Sequence, residues 1–574
     1  MKKLHYFLFV LLLLSAFNQQ SFSQVISDSV GAGFNKSFIV YQHPDTINKQ
    51  RVVQQVVGGL DLNANGKKEF LYVTDNSFIG TGEKFRVGYS LFLFENTGNN
   101  TYSRIWSYHI TDTVGGSFPH FCIADLNGNT KPEIILGMQY AANLPTVGAD
   151  PDRLLIFEFG STTLPTTPTA TWNFGAPAGS DNRPSALIAG DVDGDGKQEL
   201  GIAFRSFTGA TKGIIIASLN GDFAGPFTQW NREVYDTTTT TSTIFGTARI
   251  TDIDNDGKKE FAFGYSGAAR LVVYEADAAN TFSRYEWNLN IASGAAKLGG
   301  TTLSMAQADI NGDGKNELLW GETGNGNLWV LHSVDALRAF DSTYVSSKLN
   351  RIGSFPNQPL STITGLRGIA AGHIDGNNKT DIFVSNRGRI WRLEYKGTGL
   401  IQDSSSYTTN IVYQDTNRTQ IRWVSFTGDT WARSMGITAT DMDGDNRAEL
   451  LLANQKNGDA DSGVTKVVIL ESNTTTSVGI DNNGQVVGTY TLEQNYPNPF
   501  NPTTTIKFAL SHAGKTEMVV YDVTGKTITT LVSGFMEAGS HTISFNASKF
   551  SSGTYFYSLR VNGNVVTRKM NLIK

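Results

Sequence analysis

The sequence predicts an all-β protein: a seven-bladed β-propeller followed by a small antiparallel β-sandwich. Three observations carry that expectation. Gly, Asn, Thr and Ser dominate the polar residues, and only 17% of the 574 residues are charged, a mixture suited to short strands joined by turns. One acidic loop, flanked on both sides by apolar strand-like runs, recurs seven times. After residue 488 the loop is gone and a different set of alternating strands begins.

In chain order, the N-terminus comes first. MKKLHYFLFVLLLLSAFNQQSFSQ carries basic Lys2 and Lys3, an apolar run from Leu4 to Phe17, and the small-x-small pattern Ser21-Phe22-Ser23. Residues 1–23 therefore read as a secretory signal peptide, with an apolar run too short to span a bilayer comfortably. No other long apolar stretch occurs, so no transmembrane segment is expected in the mature protein. Export often brings disulfides, yet Cys122 is the single cysteine. Within HFCIAD it reads as a small core residue. The net charge of −5, without a basic stripe, argues against a nucleic-acid partner.

Residues 24–472 hold the repeats. GLDLNANGKKEFLYV places Asp61, Asn63, Asn65 and Glu69 at positions 1, 3, 5 and 9 of the loop. IADLNGNTKPEIILG does the same with Asp125, Asn127, Asn129 and Glu133, and GDVDGDGKQELGIA with Asp191, Asp193, Asp195 and Glu199. The fourth copy has Asp252, Asp254, Asp256 and Glu260; the fifth has Asp309, Asn311, Asp313 and Glu317. The sixth is the weakest match, with His373, Asp375, Asn377 and Asp381, and the seventh has Asp441, Asp443, Asp445 and Glu449. A period of roughly 60 residues fits one loop per four-stranded blade.

Each repeat supports a blade. In the fifth, TLSMAQADI enters the loop, NELLWGE leaves it, and NLWVLHSV follows as a hairpin partner. Outer strands carry Trp106, Trp172, Trp230 and Trp287, expected to pack between blades. After the seventh loop TKVVILES supplies a third strand and no fourth follows. Residues 36–43 look like the outer strand of other repeats, so they are expected to complete the last blade and remove its free edge.

Close carboxylates repel unless a cation lies between them. Short Asp and Asn side chains at alternate positions aim oxygens into a tight loop, and Gly at position 6 permits the turn. No soft ligand recurs, so the hard, oxygen-seeking Ca2+ is the expected ion. The acid at position 9 and the strand-like flanks differ from an EF-hand, whose closing Glu sits at position 12 between helices. The aspartate-rich third, fourth and seventh copies carry the most charge; Thr130 and Asn446 replace the position-6 glycine in the second and seventh. The expected role of the ions is structural, pinning a hairpin.

These repeats resemble the FG-GAP/VCBS repeats of integrin-α-like propellers over about residues 36–472. The resemblance implies a loop that joins the first two strands of a blade and holds calcium.

Residues 473–488 are polar and read as a linker. From 489 to 574, the YPNPFNP run (496–502) imposes an extended entry, and four alternating segments follow, with Asn562-Gly563 as a two-residue hairpin signal. With YDVTGK (521–526) and SSGTYFYSL (551–559), this segment resembles the type A C-terminal sorting domain of the type IX secretion system of Bacteroidetes-like bacteria. The resemblance implies the type IX machinery as partner, passage across the outer membrane, and release or attachment at the cell surface.

No catalytic signature is present: no H-E-x-x-H, G-x-S-x-G or phosphate loop, and the eight histidines recur at no ligand spacing. The leading expectation is a secreted or cell-surface, non-catalytic recognition or adhesion module for glycan or protein. The alternatives are a polysaccharide-active lyase or hydrolase with its site in the propeller channel, and a structural surface-layer component. The long segments 139–152, 236–246 and 354–368 are candidate ligand loops.

Overall fold

The computed structural model describes the strands and many of their connections between residues 29 and 573. Residues 1–28, the connections 42–51, 76–88, 111–118, 139–152, 175–182, 206–211, 224–229, 238–243, 266–269, 289–301, 356–365, 415–436, 455–465 and 474–490, and some shorter turns lie outside the description. The signal peptide, the linker, the hairpin tip Asn562-Gly563 and most of the three candidate ligand loops fall there. Among the described residues no helix is long and apolar enough to cross a membrane.

Two strands open the chain, β1 (Ser29–Val30) and β2 (Phe34–Tyr41). Five sheets of four consecutive antiparallel strands follow. The first holds β3 (Val52–Leu60), β4 (Glu69–Asp75), β5 (Tyr89–Gly98) and β6 (Thr101–His109). The second holds β7 (His120–Ala124), β8 (Glu133–Gly137), β9 (Leu154–Glu158) and β10 (Ala170–Trp172). The third is β11 (Arg183–Gly190), β12 (Glu199–Arg205), β13 (Lys212–Leu219) and β14 (Trp230–Asp236). The fourth is β15 (Ile244–Thr251), β16 (Glu260–Tyr265), β17 (Arg270–Ala278) and β18 (Thr281–Asn288). The fifth is β19 (Thr302–Ala308), β20 (Glu317–Glu322), β21 (Asn327–Leu331) and β22 (Leu349–Ser354).

The last two sheets of this region borrow from the N-terminus. The sixth contains β23 (Gly368–Gly372), β24 (Asp381–Asn386), β25 (Arg389–Tyr395) and β26 (Tyr407–Gln414), and β1 adds a fifth strand on β26. The seventh contains β27 (Ile437–Thr440), β28 (Glu449–Asn454) and β29 (Lys466–Ser472). Its outer strand is β2, antiparallel to β29 from Phe34 opposite Ser472 to Tyr41 opposite Lys466. That pairing covers an edge that would otherwise expose a row of unmet backbone groups.

The packing makes these sheets a β-propeller. The first strand of each touches the first strand of the next, β3 to β7 and onward to β27, and β27 returns to β3. Side chains alternate between the faces of a strand, so each sheet supplies two cores. Leu71 packs toward the second sheet with Phe121 and Ile134, while Phe70 packs toward the seventh with Met442 and Leu451. Cys122 sits with Ile135, Ile202 and Phe204 between the second and third sheets, where burial pushes its thiol far up. Trp106, Trp172 and Trp287 are buried, and Trp230 stacks on Trp172 with ring centroids 4.1 Å apart. These four outer-strand tryptophans are thus packing residues between sheets.

The C-terminal unit packs a three-stranded sheet, β30 (Thr491–Leu492), β31 (Thr503–Leu510) and β34 (Gly539–Asn546), with a four-stranded one. The latter is β32 (Gly514–Asp522), β33 (Thr527–Met536), β35 (Gly553–Val561) and β36 (Asn564–Leu572). Ile506 and Phe508 from one sheet meet Met518, Val520, Tyr557 and Leu559 from the other. The proline-rich entry is tied down: Asn495 N–H donates to Tyr557 Oη at 2.7 Å, and Phe500 bridges Leu572.

Candidate metal centres

Each acidic loop joins the first strand of a sheet to the second, at the same end of every sheet, because the position-9 acid opens the second strand. Among the described residues one bond recurs in all seven copies. The apolar residue at position 2 is buried, and its N–H donates to the position-9 carboxylate: Leu62 to Glu69 at 2.6 Å, Leu126 to Glu133 at 2.7 Å, Val192 to Glu199 at 2.8 Å, Ile253 to Glu260 at 2.9 Å. Ile310 to Glu317, Ile374 to Asp381 and Met442 to Glu449 repeat the bond. Positions 1, 3 and 5 accept loop N–H groups in turn, as Asp191 does from Gly194 and Asp195 from Lys197. The turn requires left-handed backbone at position 4 and again at position 6: Gly194 and Gly196 have φ of 76° and 89°. Ala64 and Thr130 adopt the same region at 56° and 68° despite their Cβ atoms.

One oxygen of the position-9 acid is left over. Oε1 of Glu69, Glu133, Glu199, Glu260 and Glu449 is buried without a hydrogen-bond partner, and the Asp252 and Asp254 Oδ1 atoms share that state. Burial pushes the carboxyls of Glu260 and Glu449 up to about 9, those of Glu133, Glu199 and Glu317 to about 8, and Glu69 to about 7. Neighbouring acidic groups add to the rise, and the position-2 N–H partly offsets it. Asp252 rises to about 6, again chiefly by burial.

Three loops gather carboxylates tightly enough for one ion. Ligand atoms of Asp191, Asp193, Asp195 and Glu199 lie within 4.8 Å of one another, as do those of Asp252, Asp254, Asp256 and Glu260, and of Asp441, Asp443 and Glu449. Asp445 joins a second group with Asp443 and Glu471. The donors are hard oxygens on short side chains, and a buried oxygen has no partner, so the residues fit a calcium ion.

The remaining loops have other devices. In the first, Asn63 and Asn65 amides and the Lys67 ammonium converge on Glu95 of β5, the Lys67 contact at 2.9 Å. In the second, Asn127, Asn129 and Lys131 converge on Glu158 of β9. Burial alone would raise Glu95 and Glu158, but these donors outweigh it and hold both carboxyls below the usual value. In the sixth, the Arg392 guanidinium meets Asp381 Oδ1 at 2.6 Å, taking the place where other copies leave an oxygen free. His373, Asp375 and Asn377 lie outside the described residues. The fifth loop brings Asp309, Asn311 and Asp313 together through N–H bonds from Gly312, Gly314 and Lys315, and Asn311 Nδ2 donates to Asp313.

The loops also reach across to the next sheet. Asn280 N–H, in the β17–β18 turn, donates to Asp193; Leu337 N–H donates to Asp254 at 3.2 Å, and Asn100 N–H to Asp443 at 2.8 Å. The last of these spans the junction of seventh and first sheets.

Two groups of residues escaped the reading of loop spacing. The third strand sets an acid opposite position 9: Glu95, Glu158, Glu275, Glu394 and Glu471. The other is the basic residue at position 7, present in all seven copies as Lys67, Lys131, Lys197, Lys258, Lys315, Lys379 and Arg447. Lys258 contacts Glu275 at 2.8 Å and Arg447 contacts Glu471 at 3.1 Å. In five copies that base was the available signal that a carboxylate waits across the hairpin, whereas in the third copy position 9 faces Ser218.

Comparison with known families decides the C-terminal unit. Residues 494–573 match the secretion system C-terminal sorting domain. The sorting domain marks the chain for type IX export across the outer membrane, to the cell surface or the extracellular space. Residues 252–320, from the fourth loop into β20, match the FG-GAP-like repeat. No curated protein matches the chain. Among solved structures, PorZ, a surface component of the type-IX secretion system of Porphyromonas gingivalis, is 15% identical with a TM-score of 0.34; the match covers 88% of this chain and 58% of that one. The Dos1 propeller is 10% identical (TM-score 0.30; 63% of this chain, 78% of that one). A quinonprotein alcohol dehydrogenase-like protein from Bacteroides thetaiotaomicron is also 10% identical (TM-score 0.26; 86% and 95%). The chain spans 58% of the length of PorZ. These scores are low, and the propeller assignment rests on the ring of sheets.

Proposed function

We propose that the exported protein is a calcium-stabilised, seven-bladed propeller that serves as a non-catalytic recognition or adhesion module outside the cell. The observation that carries the calcium reading is the buried, partnerless Oε1 of Glu199, Glu260 and Glu449 beside two or three aspartates. A carboxylate in that state is costly unless a cation meets it. The ion's place is structural: the same aspartates accept N–H groups from the neighbouring sheet, so neutralising them fastens one blade to the next. The adhesion reading is supported by the sorting domain, which delivers the propeller outside, and by the absence of catalytic motifs from the sequence.

Isothermal titration of the metal-free mature chain with calcium tests the first half. Saturable uptake that raises the melting temperature, and that magnesium reproduces only weakly, is expected; no uptake at millimolar calcium would refute it. A glycan array probed with the full mature chain tests the second half, and binding to a defined set of glycans is the expected result.

A further inference from the structure

The second loop contains an Asn-Gly pair, Asn127-Gly128, at positions 3 and 4. The fifth loop has the same pair at the same positions, Asn311-Gly312, and the first has Asn65-Gly66 at positions 5 and 6. Glycine has no Cβ to crowd its amide nitrogen, so that nitrogen can approach the side-chain carbon of the asparagine before it. In each pair the asparagine carbonyl is already polarised. Asn127 Oδ1 accepts Asn129 N–H at 3.2 Å, Asn311 Oδ1 accepts Asp313 N–H at 3.2 Å, and Asn65 Oδ1 accepts Lys67 N–H at 2.9 Å. Such a donor sits where negative charge develops when a nucleophile adds to the amide.

The pairs differ in the nucleophile. Gly312 N–H donates to Asp309 Oδ1 at 2.7 Å, and Gly66 N–H to Asp61 Oδ2 at 3.0 Å. A nitrogen held by a carboxylate must break a charge-assisted bond, and lose its proton beside an anion, before it can attack. In the second loop the equivalent aspartate is engaged elsewhere. Asp125 Oδ1 takes Asn129 N–H at 3.0 Å, and Oδ2 takes Thr130 N–H at 2.8 Å. Gly128 N–H has no acceptor among the described residues. The backbone is otherwise alike, with φ of 70° at Gly128 and 75° at Gly312. Exposure alone would favour the other pair, since Asn311 is exposed and Asn127 half-buried.

We propose that Asn127-Gly128 is a site of spontaneous hydrolytic modification. Gly128 N loses its proton and bonds to Asn127 Cγ. The Cγ–Nδ2 bond breaks, and Nδ2 leaves as ammonia with the proton that Gly128 gave up. Water then adds to a carbonyl of the five-membered imide and opens it to aspartate or isoaspartate, with no change of oxidation state. The product places a carboxylate where Asn127 Nδ2 now donates to Glu158 Oε2 at 3.3 Å and to Asp222 Oδ1, from the third sheet, at 3.2 Å. It also stands beside Asp125 and Glu133, whose fully buried Oε1 has no partner. A loop that holds two acids thereby acquires a third, and as aspartate it takes up calcium more tightly. That consequence rests on the calcium reading of the loops; the modification itself does not.

The test is incubation of the folded mature chain at mildly alkaline pH in chelator, where no ion shields Asn311, followed by peptide mapping by mass spectrometry. Asn220-Gly221 is the internal reference for an unheld pair: it is exposed after β13, with no acceptor for Gly221 N–H among the described residues. Asn127 is expected to convert alongside Asn220 and at least about tenfold faster than Asn311 and Asn65, the factor that one charge-assisted hydrogen bond supplies. In the urea-denatured chain the Asn127 and Asn311 rates should converge. Conversion of Asn311 as fast as Asn127 in the folded chain, or a difference that persists in urea, would overturn the proposal. Calorimetric titration of Asn127→Asp should show calcium uptake beyond that of the parent. Uptake equal to a calcium-binding parent would overturn the consequence and leave the modification site standing, whereas a parent that takes up no calcium marks failure of the calcium reading instead.

Discussion

Replacing Glu260 by Gln separates the metal from the fold. Glu260 is fully buried; one oxygen accepts Ile253 N–H at 2.9 Å and the other has no partner. Burial and the nearby Asp252, Asp254 and Glu275 charges push its carboxyl up to about 9. Without metal at pH 7 the group is protonated, and Gln reproduces its shape and its acceptor. The chelated variant should therefore melt close to the chelated parent. With calcium the parent must ionise this carboxyl, at about 3 kcal/mol for two pH units, and the ion offsets that cost. A site with a dissociation constant of about 0.1 mM adds about 1.4 kcal/mol at about 1 mM calcium. In a fold this large that corresponds to roughly 2 °C of melting temperature. Scanning calorimetry of parent and variant, each with calcium and with chelator, should show the calcium-dependent rise smaller by about that amount in the variant. The pH dependence has a definite sign. The folded pKa lies above the unfolded one, so metal-free stability is full below about pH 4 and falls as pH rises toward 9. Calcium, which binds the ionised form, should flatten that fall, and its affinity for this loop should climb about tenfold per pH unit between 6 and 8. An unchanged calcium increment in Glu260→Gln, or an affinity indifferent to pH, would show that Glu260 does not ligate calcium.

Three further outcomes are expected. Arg392→Met strips Asp381 of its buried counter-charge and should cost about 3–5 kcal/mol in urea unfolding, with calcium and chelator giving the same loss. Thr130→Gly relieves a β-branched residue held at a φ of 68° and should stabilise the protein by about 1 kcal/mol, read from the denaturation midpoint. Deleting residues 489–574 should abolish appearance of the protein in the extracellular fraction while the propeller persists inside the cell, checked by fractionation and immunoblot.

The repeat loops were legible because position 1, 3, 5 and 9 acids are local in sequence, and a strand-to-strand turn is a local structure. The same holds for the sandwich, whose strands alternate plainly. What stayed hidden depends on register between strands distant in the chain. Glu95 meets the first loop only because Glu69 pairs with it across 26 residues, and Arg392 reaches Asp381 from the next strand. The short β1, which adds a fifth strand to the sixth sheet, carries too few residues to show a pattern. The strand that closes the seventh sheet begins at Phe34 and ends at Tyr41, a boundary offset of two residues from 36–43. The unpartnered Glu260 Oε1 and Trp320 Nε1 were invisible for a deeper reason: a missing partner is a property of the whole packed layer, not of any stretch of chain.

Calcium in the aspartate-rich loops is what the proposed propeller stands on. Native mass spectrometry of the mature chain, dialysed against calcium and then against chelator, counts the ions directly. At least three bound ions per chain are expected, for the loops beginning at Asp191, Asp252 and Asp441, with ions lost when Glu199, Glu260 and Glu449 are changed to Gln together. A chain that carries no calcium, or the same number of ions in the triple variant, would contradict it.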